Sequence, residues 1–195
     1  MFRIYLAVVD VIPAAIVLVP LFLILYGTAY KRDSRKSIIC CLFCLYLAAV
    51  FSLVGIPNVT YFRPDLNLNF IPFAGIVYDL KNSVLNIALF VPLGVFLPVL
   101  WERFRRVAPT VVFGAGLSLT IELLQMLTYR ATDVNDLITN TLGAMLGFLV
   151  AKPISRRYPV IGKGRGDVYA LCALSFSVMF FLHPVLSPML WDRIL

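Results

Sequence analysis

Glu122-Leu-Leu-Gln125-Met-Leu-Thr-Tyr129-Arg130-Ala-Thr-Asp133-Val-Asn-Asp136-Leu-Ile-Thr-Asn140 is a polar stretch set between two runs that otherwise read as membrane. It gathers three acids and one base within nineteen residues, with Gln125 and Asn140 among them. Glu122 lies inside the upstream apolar run and Asn140 inside the downstream one. An ionisable side chain in hydrocarbon costs roughly 2.5–3.5 kcal/mol by insertion scales. Such groups are stable only against a protein interior or a wet cavity, which makes the stretch a candidate functional site.

The rest of the chain fits that reading. Of its 195 residues 61% are hydrophobic and 14% charged, with a mean hydropathy of +0.93; a soluble domain carries about 25% charge. The apolar residues come in long runs rather than in alternation, which favours helices over a transmembrane barrel. Six runs stand out, at about 4–29, 37–56, 83–100, 107–127, 136–151 and 168–190. The expected fold is all-α: a polytopic transmembrane helical bundle of about six spans, with residues 1–195 as one bundle. The first run is longer than the apolar core of a signal peptide and reads as an uncleaved span. Asp10 within it is expected near the membrane surface, solvated.

The net charge of +7 suggests nucleic acid until its distribution is read. Loops one, three and five hold twelve of the seventeen Lys and Arg residues, and the other four flanks hold five. That asymmetry puts the basic loops in the cytoplasm and both termini outside, and removes any reason to invoke nucleic acid. The basic segment from Lys152 to Asp167 needs no partner beyond this topology. The segment 58–81 and the Glu122–Asn140 turn then open on the outer face, where the apolar and aromatic content of the former suits an interfacial loop. Cys40, Cys41, Cys44 and Cys172 read as packing residues, and Trp101 and Trp191 as interfacial anchors.

Gly114, Ser118, Glu122, Gln125 and Tyr129 recur at steps of three or four, on one face of span four. Asp136, Asn140, Gly143 or Ala144, Gly147 and Ala151 do the same on span five. Gly143-xxx-Gly147 permits close helix approach, so spans four and five are expected to meet and join their polar ends in a pocket. Asn82 and Asn86, at the start of span three, would line its third side. The alternative is that these groups only satisfy one another. Asp133 and Asp136 would then cap the fifth helix, Arg130 would pair with an acid, and Asn86 and Asn140 would hold helices together.

Asn86-Ile-Ala-Leu-Phe90-Val-Pro92-Leu-Gly94, followed by Glu122-Leu-Leu-Gln125, Arg130, Asp133 and Asp136-Leu-Ile-Thr-Asn140-Thr-Leu-Gly143, resembles the VanZ-like family of bacterial membrane proteins. Asn69-Phe-Ile-Pro72-Phe73 is similar to a further family element, with Phe70 where leucine is usual. The resemblance covers a core at about 67–151 and leaves spans one, two and six outside. It implies a multi-pass protein of the bacterial cell membrane. The family's founding members are associated with low-level resistance to teicoplanin, a lipoglycopeptide that acts on cell-wall precursors.

Three functions are then in play. A non-enzymatic protein would bind membrane lipid, lipid-linked envelope precursor or lipoglycopeptide through Asn86, Glu122, Gln125, Arg130, Asp133, Asp136 and Asn140. Arg130 would meet an anionic headgroup and the amides would add neutral hydrogen bonds. An outer-leaflet enzyme would use Glu122 as general acid or base, with no cofactor required beyond a divalent cation held by Asp133 and Asp136. A transporter is disfavoured, since no internal repeat is visible and the polar groups cluster at one face. The sole histidine, His183, excludes two-histidine lipid phosphatases and reads as an interfacial packing residue. Tyr78-Asp79 and Gly164-Arg-Gly166-Asp167 superficially match intramembrane aspartyl proteases, but the charge count puts those aspartates on opposite sides of the bilayer.

Overall fold

The computed structural model describes residues 2–30, 32–61, 63–64, 68–69, 71–73, 79–128, 132–157, 159–160 and 167–192. Six helical stretches are long and apolar enough to cross a membrane: Val9–Gly27, Ser34–Val54, Leu80–Leu100, Val107–Gln125, Val134–Arg157 and Asp167–Trp191. They match the six runs read from sequence, and the chain is an all-α membrane bundle. Span five is longer than its apolar run. Its 24 residues rise about 36 Å, enough for a hydrocarbon core of about 30 Å. Contacts divide the chain into two compact units, residues 1–62 with 165–195 and residues 63–164.

The first unit holds α1 (Phe2–Gly27), α2 (Ser34–Val54) and the sixth span. That span comprises α6 (Asp167–Ser177), a π-helical turn (Val178–Leu182) and α7 (His183–Trp191). On α1, Ala14, Leu18 and Phe22 recur four apart and are buried. Ile12, Ile16, Val19 and Leu23 form an exposed stripe, the face such a helix gives to lipid. The Asp33 side chain caps α2 by accepting the Lys36 N–H at 3.0 Å. Gly55, at φ 65°, ends it in a left-handed cap that returns N–H groups to Phe51 and Ser52. Cys40 and Cys44 are buried free thiols, packing residues as expected. Ser175 Oγ donates to the Cys44 carbonyl at 3.4 Å, tying α6 to α2. Where the chain turns from α1 to α2, the Lys36 ammonium lies 4.8 Å from the Tyr30 ring centroid and 3.8 Å from Asp167. Burial pushes the Tyr30 phenol up, so it stays protonated.

The second unit holds β1 (Leu68–Asn69), α3 (Leu80–Leu100), α4 (Val107–Gln125), β2 (Thr132–Asp133) and α5 (Val134–Arg157). Its framework is the contact of α3 with α5. A Cβ added to Gly143 or Gly147 would overlap the Ile87 or Val91 carbonyl of α3, and one on Gly94 would overlap the Ala144 carbonyl of α5. The glycine face of span five was expected against span four; it lies against span three. Span four makes a different contact, in which a Cβ on Gly114 would come within 2.6 Å of the Ala144 Cβ. Between α3 and α4 a 3₁₀ turn (Glu102–Arg105) buries Phe104 edge-on to Phe113, centroids 5.3 Å apart. Trp101, read as an interfacial anchor, is instead 3% exposed beneath that corner.

Backbone against backbone leaves no room for repacking. Gly147→Val is expected to destabilise by about 3 kcal/mol or more, lowering the thermal midpoint in detergent by about 6–12 °C. Gly116→Val on α4, where nothing lies within 4 Å of an added Cβ, is the matched control and should shift the midpoint little. Equal midpoints for the two variants would refute the packing account.

Candidate functional site

The buried face of α4 carries Thr110, Gly114, Ser118, Ile121, Glu122 and Gln125, the three-and-four spacing read from sequence. Its last turn brings Glu122, 3% exposed, to the start of α5. There Glu122 Oε2 accepts the Asp133 backbone N–H at 3.0 Å, and the Glu122 carbonyl accepts the Thr132 hydroxyl at 3.1 Å. One residue thus ties the end of span four to the beginning of span five through side chain and backbone together.

Asp133 is the cap of α5. Its Oδ1 accepts the Asn135 backbone N–H at 2.8 Å and the Asn135 side-chain amide at 2.7 Å. This is the capping role set against the pocket in the sequence reading, and it favours negative charge at a helix start. Oδ2 accepts the Asn69 amide at 3.1 Å. Asn69 also pairs with Asp133 in a two-residue parallel ladder, Leu68 with Thr132 and Asn69 with Asp133. The Asn135 amide reaches further, donating to the Ile71 carbonyl at 3.1 Å. Upstream, the Arg63 N–H donates to the Leu127 carbonyl at 2.8 Å. Residues 63, 68–69 and 71 therefore form a strap across the α4–α5 turn. Its tip exposes Ile71, Pro72 and Phe73, the last at a left-handed φ of 66°.

Deeper in the unit, the Asn140 amide donates to Ser118 Oγ at 2.9 Å, joining the two faces predicted to meet. Gln125 is buried on the same face of α4 as Glu122. Asp136 lies in the first turn of α5, half-buried, and its carbonyl accepts the Thr139 hydroxyl. The structure thus brings together Glu122, Asp133 and the α5 start, with Asn140 below them. Asn82 is not part of the lining. It is exposed and bonded to Asp79, whose carboxylate caps α3. Half-buried Asn86 precedes Ile87, which faces Gly143, and no hydrogen bond joins it to the cluster among the described residues. Tyr129 and Arg130 lie outside the described residues, as do Asp65, Asn67, Phe70 and Tyr78 of the strap segment.

Sequence reasoning assigned no role to Asn135. Both donor positions of its amide face acceptors, Ile71 O and Asp133 Oδ1, which fixes the amide's orientation and leaves Oδ1 as the remaining polar atom. Among the described residues that oxygen is buried and unpartnered, as is Oδ1 of Asn140. An unpaired buried polar atom costs ~1–3 kcal/mol. A sequence signal did exist, since Asn in the first turn beside a capping Asp is one amide more than a cap needs. Among the described residues no three of His, Cys, Asp and Glu gather as metal ligands, and the Asp133 carboxylate already receives three N–H groups.

Asp133→Ala removes the cap and the strap anchor at once, a change expected to cost ~0.5–2 kcal/mol. Hydrogen exchange should accelerate at Leu68, Asn69 and Ile71, while amides around Gly143–Gly147 keep their protection. Unchanged exchange in the strap would show that the anchor lies elsewhere.

Comparison with known proteins extends further than the core read at 67–151 and takes in most of span two, which was expected to lie outside it. A family model described as VanZ/LLP1 matches residues 38–156. The chain is similar to Protein VanZ of Enterococcus faecium, 36% identical over 84 residues, which are 42% of this chain and 50% of that protein. The aligned part thus spans about half the length of this curated relative. No solved structure matches.

Proposed function

The chain belongs to the VanZ/LLP1 family, as a multi-pass protein of the bacterial cell membrane, and from this we propose that the α4–α5 turn is a ligand site. The ligand is a lipid-linked envelope precursor or a lipoglycopeptide, held without turnover, and its capture underlies teicoplanin-type resistance. The observation that carries the reading is the pair of buried, unpartnered amide oxygens on Asn135 and Asn140. A ligand that donates to them recovers the cost of leaving them unpaired. Glu122 and Asp133 are held by backbone and side-chain N–H groups, so the cluster is preorganised, which lowers the ordering cost of binding.

The excess of Lys and Arg in loops one, three and five supports an orientation that opens this turn to the outside, the side on which cell-wall precursors are exposed. Binding is favoured over turnover because Glu122 Oε2 is engaged with the Asp133 N–H. A general base needs its lone pairs directed at substrate. Arg130, which belongs to the turn in sequence, would supply the charge for the ligand's anionic group.

Expression of the wild-type chain in a sensitive Gram-positive host should protect against teicoplanin and not against vancomycin, which lacks the lipid tail. Glu122→Gln should abolish protection while the protein still reaches the membrane. Asn140→Ala should weaken binding of teicoplanin to the purified protein about fivefold, the equivalent of one neutral hydrogen bond. Full protection by both variants at normal expression would eliminate the site.

A further inference from the structure

Three spans of the first unit converge on a second polar cluster, for which the sequence reading made no provision. Asp10 was expected to be solvated and His183 to be a packing residue. Instead Ser52 Oγ of α2 donates to Asp10 Oδ2 of α1 at 2.6 Å, and His183 Nε2 at the head of α7 stands 3.3 Å from Asp10 Oδ1. We propose that Asp10, Ser52 and His183 form a protonation-operated clasp that closes span one against span six when the imidazole takes up a proton.

The geometry supports a charge-dependent contact. His183 Nε2 is at ion-pair distance from the carboxylate, and among the described residues no other group partners it. A charged imidazole adds the attraction of opposite charges to this contact. Ser52 holds the other carboxylate oxygen and so fixes Asp10 in place for either state of His183. The side chains are 15% exposed for His183 and 28% for Asp10, with Nε2 itself buried.

The π-helical turn supplies the aim. The N–H of His183 bonds back to the Val178 carbonyl, five residues earlier. One additional residue in a turn rotates everything beyond it by about 100° relative to an unbroken α-helix, and such turns recur at functional sites. The Val59 N–H accompanies it, donating to the Phe180 carbonyl at 3.1 Å. Among the described side chains facing the pair, α1 contributes Asp10, α2 contributes Ser52 and no acid or base, the π turn contributes none, and α7 contributes His183 itself. Tyr46 on α2 lies more than a turn further in, and Asp192 is at the opposite end of α7.

His183 is the sole histidine, which makes the test clean. The purified full-length protein is melted in detergent across about pH 5 to 8, where imidazoles change charge. The wild-type midpoint should fall by about 2–4 °C as pH rises. His183→Gln keeps an amide but cannot become a cation; it should fold, match the wild type at the alkaline end and lose the slope. Asp10→Asn should lose the slope likewise. Ser52→Ala should lower the midpoint at every pH and keep the slope. A wild-type midpoint that does not move with pH, or a slope that survives in His183→Gln, overturns the proposal.

Discussion

Where side chains would stand at Gly94, Gly143 and Gly147, the second unit has backbone carbonyls of the facing helix. This contact sets the position of every polar group in the unit. With α5 seated on α3, Ala144 meets Gly114 and fixes the depth of α4. That depth puts Ser118 opposite Asn140 and delivers the Glu122 carboxylate to the Asp133 N–H. Membrane helices gain little from burying apolar surface against one another, since lipid is equally apolar, and they associate through close van der Waals approach and hydrogen bonds. Here the close approach comes first in the chain of dependence and the hydrogen bonds follow from it.

The two amide oxygens stand apart from the way this chain treats its hydroxyls and its helix-capping carboxylates. Thr110, Thr120, Thr139 and Thr141 all return their hydroxyls to backbone carbonyls nearby in sequence, the ordinary economy of Ser and Thr within a span. Asp33, Asp79 and Asp133 each accept backbone N–H groups at a helix start. Against that background, Asn135 and Asn140 keep one unpartnered acceptor each at 3% exposure. The family's shared segment covers both residues and the whole of the second unit's helical framework, apart from the final residue of α5.

Much of this was legible because it is local. Long apolar runs gave the six spans, the three-and-four spacing gave the buried face of α4, and the cluster of acids located the turn. What escaped was set by distance along the chain. Asn69 and Asp133 are 64 residues apart, and Ser52 and Asp10 are 42 apart; no periodicity links such pairs. The Gly143-xxx-Gly147 signal was real, but a small-residue face names a close neighbour without saying which one. Span three, carrying Pro92, Pro98 and a single buried glycine, did not announce itself as the partner. The π turn has no residue pattern of its own, so the rotation that aims His183 could not be read in advance. Trp101 failed for a related reason: a 3₁₀ corner after α3 folds back over it.

The division of the chain has a consequence for how the protein is made. The first unit is assembled from both ends of the sequence, residues 1–62 and 165–195, so α1 and α2 are synthesised well before the span that completes them. During that interval Ser52, Asp10 and the Cys44 carbonyl have no sixth span to meet. The middle segment can close around its glycine contact as soon as α5 has been inserted, ahead of the unit that begins first. Domains fold N-terminal first in ordinary synthesis; in this chain the contiguous middle unit is complete in sequence before the unit that begins first. The early helices depend on whatever shields them in the bilayer until the last span arrives.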